Sequence, residues 1–174
     1  MNLANFLTLF RMFLIIPMFP IIALGHWKPA LFLFIVGALT DYFDGLAARK
    51  LNQVTNFGKV FDQIADKVFV NGVMIALIPK VPAWLVALFV SRDTVISAVR
   101  ILAANNGVVI QANIYGKAKT FVQMILLIFV LFSNAFGLKL EWFTALLIYL
   151  SAFLTILSLV IYVYQNKTAL GGSR

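Results

Sequence analysis

Long apolar runs alternate with short polar breaks along almost the whole chain. Six of these runs approach the roughly 20 mainly apolar residues that a membrane-spanning helix needs. Segments rich in glycine, proline or polar residues separate them, namely GHWKP, KLNQVTN, PKVP, NNGVVIQANIYG and NAFGLK. The pattern predicts six transmembrane helices, at residues 6–24, 29–49, 58–78, 82–104, 118–136 and 141–164.

The composition agrees with a membrane protein. Of the 174 residues, 63% are hydrophobic and 11% are charged, whereas a soluble domain has about 45–50% apolar and about 25% charged residues. No linker-like or low-complexity tract divides the chain, so we predict one domain over residues 1–174, an all-α integral membrane bundle. The absence of cysteine excludes disulfides and thiolate metal sites.

The basic residues indicate orientation in the membrane and not binding of nucleic acid. The net charge is +8, but the cations are scattered between apolar runs and form no stripe that follows a phosphate backbone. One set of helix ends carries only Lys28, Lys80 and Lys139. The other set carries Arg49, Lys50, Lys59, Arg100, Lys117, Lys119, Lys167 and Arg174. By the positive-inside rule, we expect both termini and the loops after the second and fourth helices to face the cytoplasm.

The acidic residues are few and clustered. Of the six in the chain, four fall within 26 positions: Asp41, Asp44, Asp62 and Asp66. On the second predicted helix, the two aspartates share a face with Gly45 and Ala48, and on the third the two aspartates share a face with Gly58. Helices joined by a short loop are antiparallel neighbours, so we expect the two acidic faces to meet near the cytoplasmic ends.

Carboxylates at this depth suit a divalent metal site. An ionisable group within a membrane helix costs about 2.5–3.5 kcal/mol, so it is retained with a partner. Salt bridges to Arg49, Lys59 and Lys67 are the alternative, but four acids outnumber those three cations. Carboxylate oxygens without cysteine or histidine favour Mg²⁺ or Mn²⁺, and four of them can hold two ions about 3.5–4 Å apart around a transferring phosphoryl group.

The acidic segment resembles a known family signature. Residues 41–66 read DYFDGLAARKLNQVTNFGKVFDQIAD, which fits D-x-x-D-G-x-x-A-R, eight residues, then G-x-x-x-D-x-x-x-D. This pattern is similar to that of the CDP-alcohol phosphotransferases. The resemblance implies a six-helix transmembrane bundle in which an alcohol displaces CMP from a CDP-linked lipid with the help of two divalent ions.

The resemblance also implies roles for individual residues. All four aspartates would be metal ligands, and Asp66 would in addition be the general base that deprotonates the acceptor hydroxyl. The segment NLANFLTLFR is similar to an N-terminal N-x-x-T-x-x-R element of bacterial members. The residues expected to bind CDP-diacylglycerol are therefore Asn5, Thr8, Asp41, Gly45, Ala48, Arg49 and Gly58.

The acceptor is inferred from cations on the fourth and fifth helices. Arg92 and Arg100 are eight residues apart and share a helix face, while Lys117 and Lys119 open the fifth predicted helix. Guanidinium groups suit bidentate phosphate binding, so these four residues favour an acceptor that carries its own phosphate. The alternative is structural, with Arg92 paired to Asp93 and the lysines serving only the orientation.

Two further elements resemble bacterial family members whose acceptor is glycerol 3-phosphate. RDTVISAVR is similar to their R-[DE]-x6-R element and GKAKTFVQ to their G-K-x-K-T-x-x-Q element. Ala4 stands where proline is common in these members, and Asp93 where glutamate is common. The resemblance implies a homodimer in the bacterial cytoplasmic membrane, surrounded by membrane lipids, with its active site facing the cytoplasm.

Other functions remain open at this point. A family member that uses inositol phosphate or another acceptor would be distinguished by its acceptor, and a membrane prenyltransferase by the absence of CMP release. An ion-coupled transporter would place its site near the midplane between internal repeats, but the acids lie towards one end of the helices and no repeat is apparent.

Overall fold

The computed structural model describes residues 3–50, 56–78, 80–105 and 113–166, and within its helices the side chains of 3–5, 41–50, 56–63, 102 and 104–105 are outside the description. The described part of the chain is all-α, as predicted. Its helices are α1 (Leu3–Ala23), α2 (Trp27–Lys50), α3 (Asn56–Ala76), α4 (Ala83–Asn105), α5 (Ile114–Phe136) and α6 (Glu141–Gln165).

Glycines define two of the helix ends. Gly25 follows α1 with φ of 75°, and Gly137 follows α5 with φ of 68°. In both turns the amide of the residue after the glycine donates a hydrogen bond to the carbonyl five residues earlier. His26 donates to Ile21 at 2.9 Å, and Leu138 donates to Ser133 at 2.8 Å. These bonds satisfy carbonyls that the helix leaves unpaired, and the left-handed conformation that they require favours glycine.

The start of α5 differs most from the prediction. The helix begins at Ile114 and not at residue 118, because the side chain of Asn113 caps it. The Asn113 Oδ1 accepts a hydrogen bond from the amide of Gly116 at 2.8 Å, which is the usual N-cap arrangement. The basic GKAK segment therefore lies in the first turns of the helix and not before it.

Two compact units make up the chain. The first comprises residues 1–81 and 127–139, and the second comprises residues 82–126 and 140–174. In the first unit α1 packs against both α2 and α3. Its core includes the buried side chains of Met18, Phe34, Phe69 and Val73, which contribute many close dispersion contacts.

Glycine permits close approach of these helices. A Cβ atom on Gly72 of α3 would lie 2.6 Å from Cγ1 of Ile15 on α1, and a Cβ on Gly37 of α2 would overlap the ring of Phe69 on α3. Phe34 stacks on the same Phe69 ring with centroids 5.7 Å apart. The Phe69 ring and the Ile15 side chain therefore pack directly onto the helix backbone at Gly37 and Gly72, because neither glycine has a side chain.

The chain length between α2 and α3 fixes their relative direction. Only five residues, 51–55, connect the two helices, and six peptide steps span at most about 20 Å. A 24-residue helix such as α2 is about 36 Å long. Because α3 contacts α2 at Phe69 and the link cannot run back along the length of α2, the two helices are antiparallel.

In the second unit α4 packs against α6. Ile96 and Val99 of α4 form a buried cluster with Tyr162 of α6, and Leu159 packs against it. The α6 face within this unit carries the buried polar residues Ser151, Thr155, Ser158 and Tyr162, spaced by four, three and four residues. Small polar residues at this spacing allow two helices to approach and exchange hydrogen bonds in an apolar environment.

Three helices in the described part of the chain are long and apolar enough to cross a membrane. They are Phe6–Ala23, Ile114–Phe136 and Glu141–Gln165, with mean hydropathies of 2.1, 1.7 and 2.5, and a shorter apolar stretch covers Trp27–Thr40. Large apolar side chains such as Phe153 at 61% exposure and Trp142 at 69% cover the outside of α6, which favours a lipid environment. The six-span count and the cytoplasmic orientation stay predictions.

Candidate active site

The predicted acidic positions lie on α2 and α3. The structure places Asp41 and Asp44 in the last three turns of α2, and Asp62 and Asp66 in the first three turns of α3. Of these four, Asp66 alone has a described side chain, and it is half-buried. No group of three or more histidines, cysteines, aspartates and glutamates occurs among the described side chains, a set that contains just one of the four predicted ligands.

The contact between Gly37 and Phe69 sets the register of the acidic positions. Counting from Gly37 towards the end of α2, the two aspartates follow after four and seven residues. Counting back from Phe69 along the antiparallel α3, Asp66 and the second aspartate of that helix follow after three and seven residues. These separations keep all four positions near the faces that meet at Gly37 and Phe69, about one and two turns beyond that contact.

The first helix contributes a buried polar face to the same unit. Thr8, predicted to bind the lipid nucleotide, is 4% exposed, and Arg11 is 1% exposed. The side chain of Asn5 lies outside the described set. Arg11 is the arginine of the N-x-x-T-x-x-R segment, so the sequence carried a signal for it, but it was not among the predicted site residues.

Helix register places Arg11 near the level of Asp66. Short links make both α1 and α3 antiparallel to α2, so α1 and α3 run parallel, and Ile15 faces Gly72. Arg11 lies four residues before Ile15 and Asp66 lies six before Gly72. The two positions thus differ by about 3 Å along the helix axes, so a buried cation accompanies the acidic positions of this unit.

A second set of predicted residues forms a buried charged cluster in the other unit. The Asp93 carboxylate accepts a hydrogen bond from Nη1 of Arg92 at 3.0 Å. Its two oxygens also accept hydrogen bonds from Nζ of Lys119, at 3.1 Å and 3.2 Å. Arg92 also donates from Nε to the Ser158 hydroxyl at 3.2 Å. Exposures are 7% for Arg92, 7% for Asp93 and 1% for Lys119.

We call this set, Arg92, Asp93, Lys119 and Ser158, the α4–α6 charge cluster. Two cations share one carboxylate, so its formal charge is +1. The Lys119 ammonium also lies over the ring of Phe89, 4.4 Å from its centroid, a contact that stabilises a desolvated cation.

The other two predicted cations lie apart from this cluster. Arg100 donates from Nε to the hydroxyl of Tyr162 at 3.3 Å, and its guanidinium lies 5.8 Å from the centre of the same ring. Lys117 is exposed whereas Lys119 is buried, because residues two apart on a helix point to different sides. Arg92 pairs with Asp93, the contact that the structural alternative expected, and the acceptor role of all four cations stays a prediction.

Comparison with known proteins identifies the family. The family model for CDP-alcohol phosphatidyltransferase matches residues 1–165. The chain belongs to the CDP-alcohol phosphatidyltransferase family. This membership confirms the resemblance carried by the D-x-x-D-G-x-x-A-R and G-x-x-x-D-x-x-x-D segments, and it decides against a transporter and a prenyltransferase.

Several bacterial relatives of this phosphatidyltransferase chain carry one name, CDP-diacylglycerol–glycerol-3-phosphate 3-phosphatidyltransferase. The Bacillus subtilis relative is 38% identical, and the alignment covers 97% of each chain. The Mycoplasma genitalium relative is 36% identical over 97% of this chain and 86% of its own. The Shigella flexneri relative is 35% identical over 97% of each chain.

Proposed function

We propose that the protein transfers a phosphatidyl group from CDP-diacylglycerol to sn-glycerol 3-phosphate, giving phosphatidylglycerophosphate and CMP. The observation that carries this proposal is the agreement between family membership over residues 1–165 and relatives at 35% to 38% identity that share one enzymatic name. The cations of the α4–α6 charge cluster support an acceptor with a phosphate of its own.

The four aspartates are proposed to hold two divalent cations, Mg²⁺ or Mn²⁺. The donor set fits hard cations, since the chain has no cysteine and its single histidine, His26, lies in the turn between α1 and α2. The register derived from Gly37 and Phe69 supports a shared site for Asp41, Asp44, Asp62 and Asp66. When bound, such ions neutralise a diphosphate and stabilise the departing phosphate.

The protein's own groups then position the substrates. Gly45, Ala48, Arg49 and Gly58 are proposed to contact the cytidine diphosphate with Asn5 and Thr8. Glycine and alanine on the helix faces leave room for the nucleotide to approach the backbone. Phosphoryl transfer gains most from such positioning and from charge neutralisation.

Asp66 is proposed as the general base. Its carboxylate takes the proton of the acceptor hydroxyl, and the hydroxyl oxygen forms a bond to the phosphorus that carries diacylglycerol. The bond from that phosphorus to the bridging oxygen breaks, and its electron pair leaves with CMP. A carboxylate can serve as base where it lies within hydrogen-bond reach of the hydroxyl proton.

The membrane arrangement is also part of the proposal. We infer six membrane spans, with both termini and the active site on the cytoplasmic side of a bacterial membrane, because the helix ends differ so strongly in basic residues. A homodimer is proposed from the family resemblance. Lipid contact and a dimer interface both suit the exposed apolar side of α6, so the dimer requires its own measurement.

The acceptor assay tests the proposed function. Purified protein in detergent micelles with CDP-diacylglycerol and Mg²⁺ should release CMP with glycerol 3-phosphate, and a chelator should abolish that release. The parallel reactions contain inositol phosphate or glycerol in place of glycerol 3-phosphate. CMP release with inositol phosphate alone would replace the proposed acceptor, and release that persists in excess chelator would contradict the metal site.

A further inference from the structure

The Arg92 guanidinium has unused hydrogen-bonding capacity next to a glycine. Its Nε bonds Ser158 and its Nη1 bonds Asp93, so Nη2 and one proton of Nη1 have no acceptor among the residues that the structure describes. A guanidinium has five N–H donors. The Arg92 side chain is more than nine-tenths buried, and unused donors at that depth favour a bound acceptor.

Gly116 lies on the side of Arg92 where those donors are unused. A Cβ atom built on Gly116 would lie 3.3 Å from Nη2 of Arg92 and 3.2 Å from Oδ1 of Asn113. Gly116 is in the first turn of α5, where its backbone is helical and an alanine would be tolerated conformationally. The backbone at position 116 therefore does not require glycine. The absence of a side chain on Gly116 leaves the space next to Nη2 of Arg92 open.

The surroundings of this space select for an anion. The first turn of α5 contributes the positive end of a 23-residue helix. The α4–α6 charge cluster adds two buried cations, Arg92 and Lys119, that contact the same carboxylate. Asp93 holds both cations in place, while the open side of the guanidinium faces Gly116. A phosphomonoester oxygen fits both the charge and the donor geometry.

We propose that Gly116 is a specificity-determining residue, whose missing side chain lets one oxygen of the acceptor's phosphate bind Nη2 of Arg92 at the start of α5. This inference rests on the proposed function. It assigns binding of the acceptor's phosphate to Arg92 and Gly116. Lys119 acts there through Asp93, as a positioning residue that fixes the orientation of the guanidinium.

Competition by inorganic phosphate tests the proposal. Purified full-length protein turns over CDP-diacylglycerol and glycerol 3-phosphate, and CMP release is measured against increasing inorganic phosphate and against each substrate. In Gly116→Ala the KM for glycerol 3-phosphate and the inhibition constant for phosphate should both rise about tenfold, the loss of one charge-assisted hydrogen bond. The KM for CDP-diacylglycerol should stay within about twofold, because Gly116 and Arg92 are proposed to contact the acceptor alone.

Two further variants keep the test specific. Arg92→Lys retains the charge but has no Nη2, so it should show the same selective loss, and adding Gly116→Ala to it should cause little further loss. Val95→Ile adds one carbon on the exposed side of α4 and serves as the size-matched control. Alanine raises helix propensity at position 116, so the first variant is expected to fold.

The outcomes separate this inference from the proposed function. Unchanged phosphate inhibition and unchanged acceptor KM in Gly116→Ala would overturn the role of Gly116 while leaving the enzymatic function standing. An equal rise in both substrates' KM would show a structural defect and also overturn it. Failure of the wild-type protein to release CMP with glycerol 3-phosphate would remove the proposed function and this inference together.

Discussion

Removing the carboxylate of Asp93 should destabilise the protein more than any single change on its surface. Asp93 accepts bonds from Arg92 at 3.0 Å and from Lys119 at 3.1 Å and 3.2 Å, with all three side chains buried. Asp93→Ala leaves two desolvated cations without their carboxylate. Breaking a buried ion pair by removing one partner costs about 3–5 kcal/mol.

The assay is thermal or denaturant unfolding of the detergent-solubilised protein. A loss of that size corresponds to a fall in the unfolding midpoint of about 6–20 °C for a chain of this length. The unfolding midpoint of Asp93→Asn should lie between those of wild type and Asp93→Ala, because the amide oxygen still accepts one hydrogen bond but carries no charge. Asp93→Glu is the matched control, since it keeps the carboxylate that accepts these hydrogen bonds.

A double-mutant cycle with Lys119→Met decides whether the effect comes from the pairing. If the cations are held by Asp93, the double variant should be more stable than the sum of the single losses predicts, with a coupling of about 1–3 kcal/mol. Additive losses, or an Asp93→Ala protein as stable as wild type, would refute the proposed arrangement of the charge cluster.

Three further changes test separate parts of the structure. Gly37→Ala should lower stability by about 1–3 kcal/mol in the same unfolding assay, because its methyl group would overlap the ring of Phe69; unchanged stability would mean that α2 and α3 do not pack there. Tyr162→Phe removes the hydroxyl that holds Arg100 and should raise the acceptor KM about threefold to tenfold if that arginine binds the acceptor; an unchanged KM would exclude it. Asp66→Asn should lower kcat at least about a hundredfold with an unfolding midpoint near wild type, and full activity would remove it from the role of base.

The helices were predictable because their apolar runs are long and their ends carry strong local signals. The turns at Gly25 and Gly137 were predicted from the glycines in GHWKP and NAFGLK. In the structure, both glycines adopt positive φ. The start of α5 was misplaced by four residues because its cap, Asn113, lies within a polar segment that looked like a loop. Side-chain capping by Asn113 outweighed the poor helix propensity of the glycine that follows.

The charged positions were predictable as a set, and the Arg92–Asp93 pair was one predicted alternative, but the contacts of Lys119 and Arg100 were not predicted. Sequence spacing suggested that Lys117 and Lys119 act together, whereas the structure leaves Lys117 exposed and buries Lys119. Lys119 comes from another helix to the carboxylate that Arg92 also contacts, and no local spacing relates the two helices. Burial of Arg11 likewise depends on packing within its unit, which no local pattern of the first helix reveals.

Binding of Mn²⁺ tests the central claim most directly, namely that the aspartates of α2 and α3 share divalent cations. Electron paramagnetic resonance of the purified protein, with CDP-diacylglycerol present, counts the ions bound to each chain. The proposal predicts about two per wild-type chain and a marked loss in Asp44→Asn and in Asp62→Asn, one variant from each helix. Retention of both ions in both variants would contradict it.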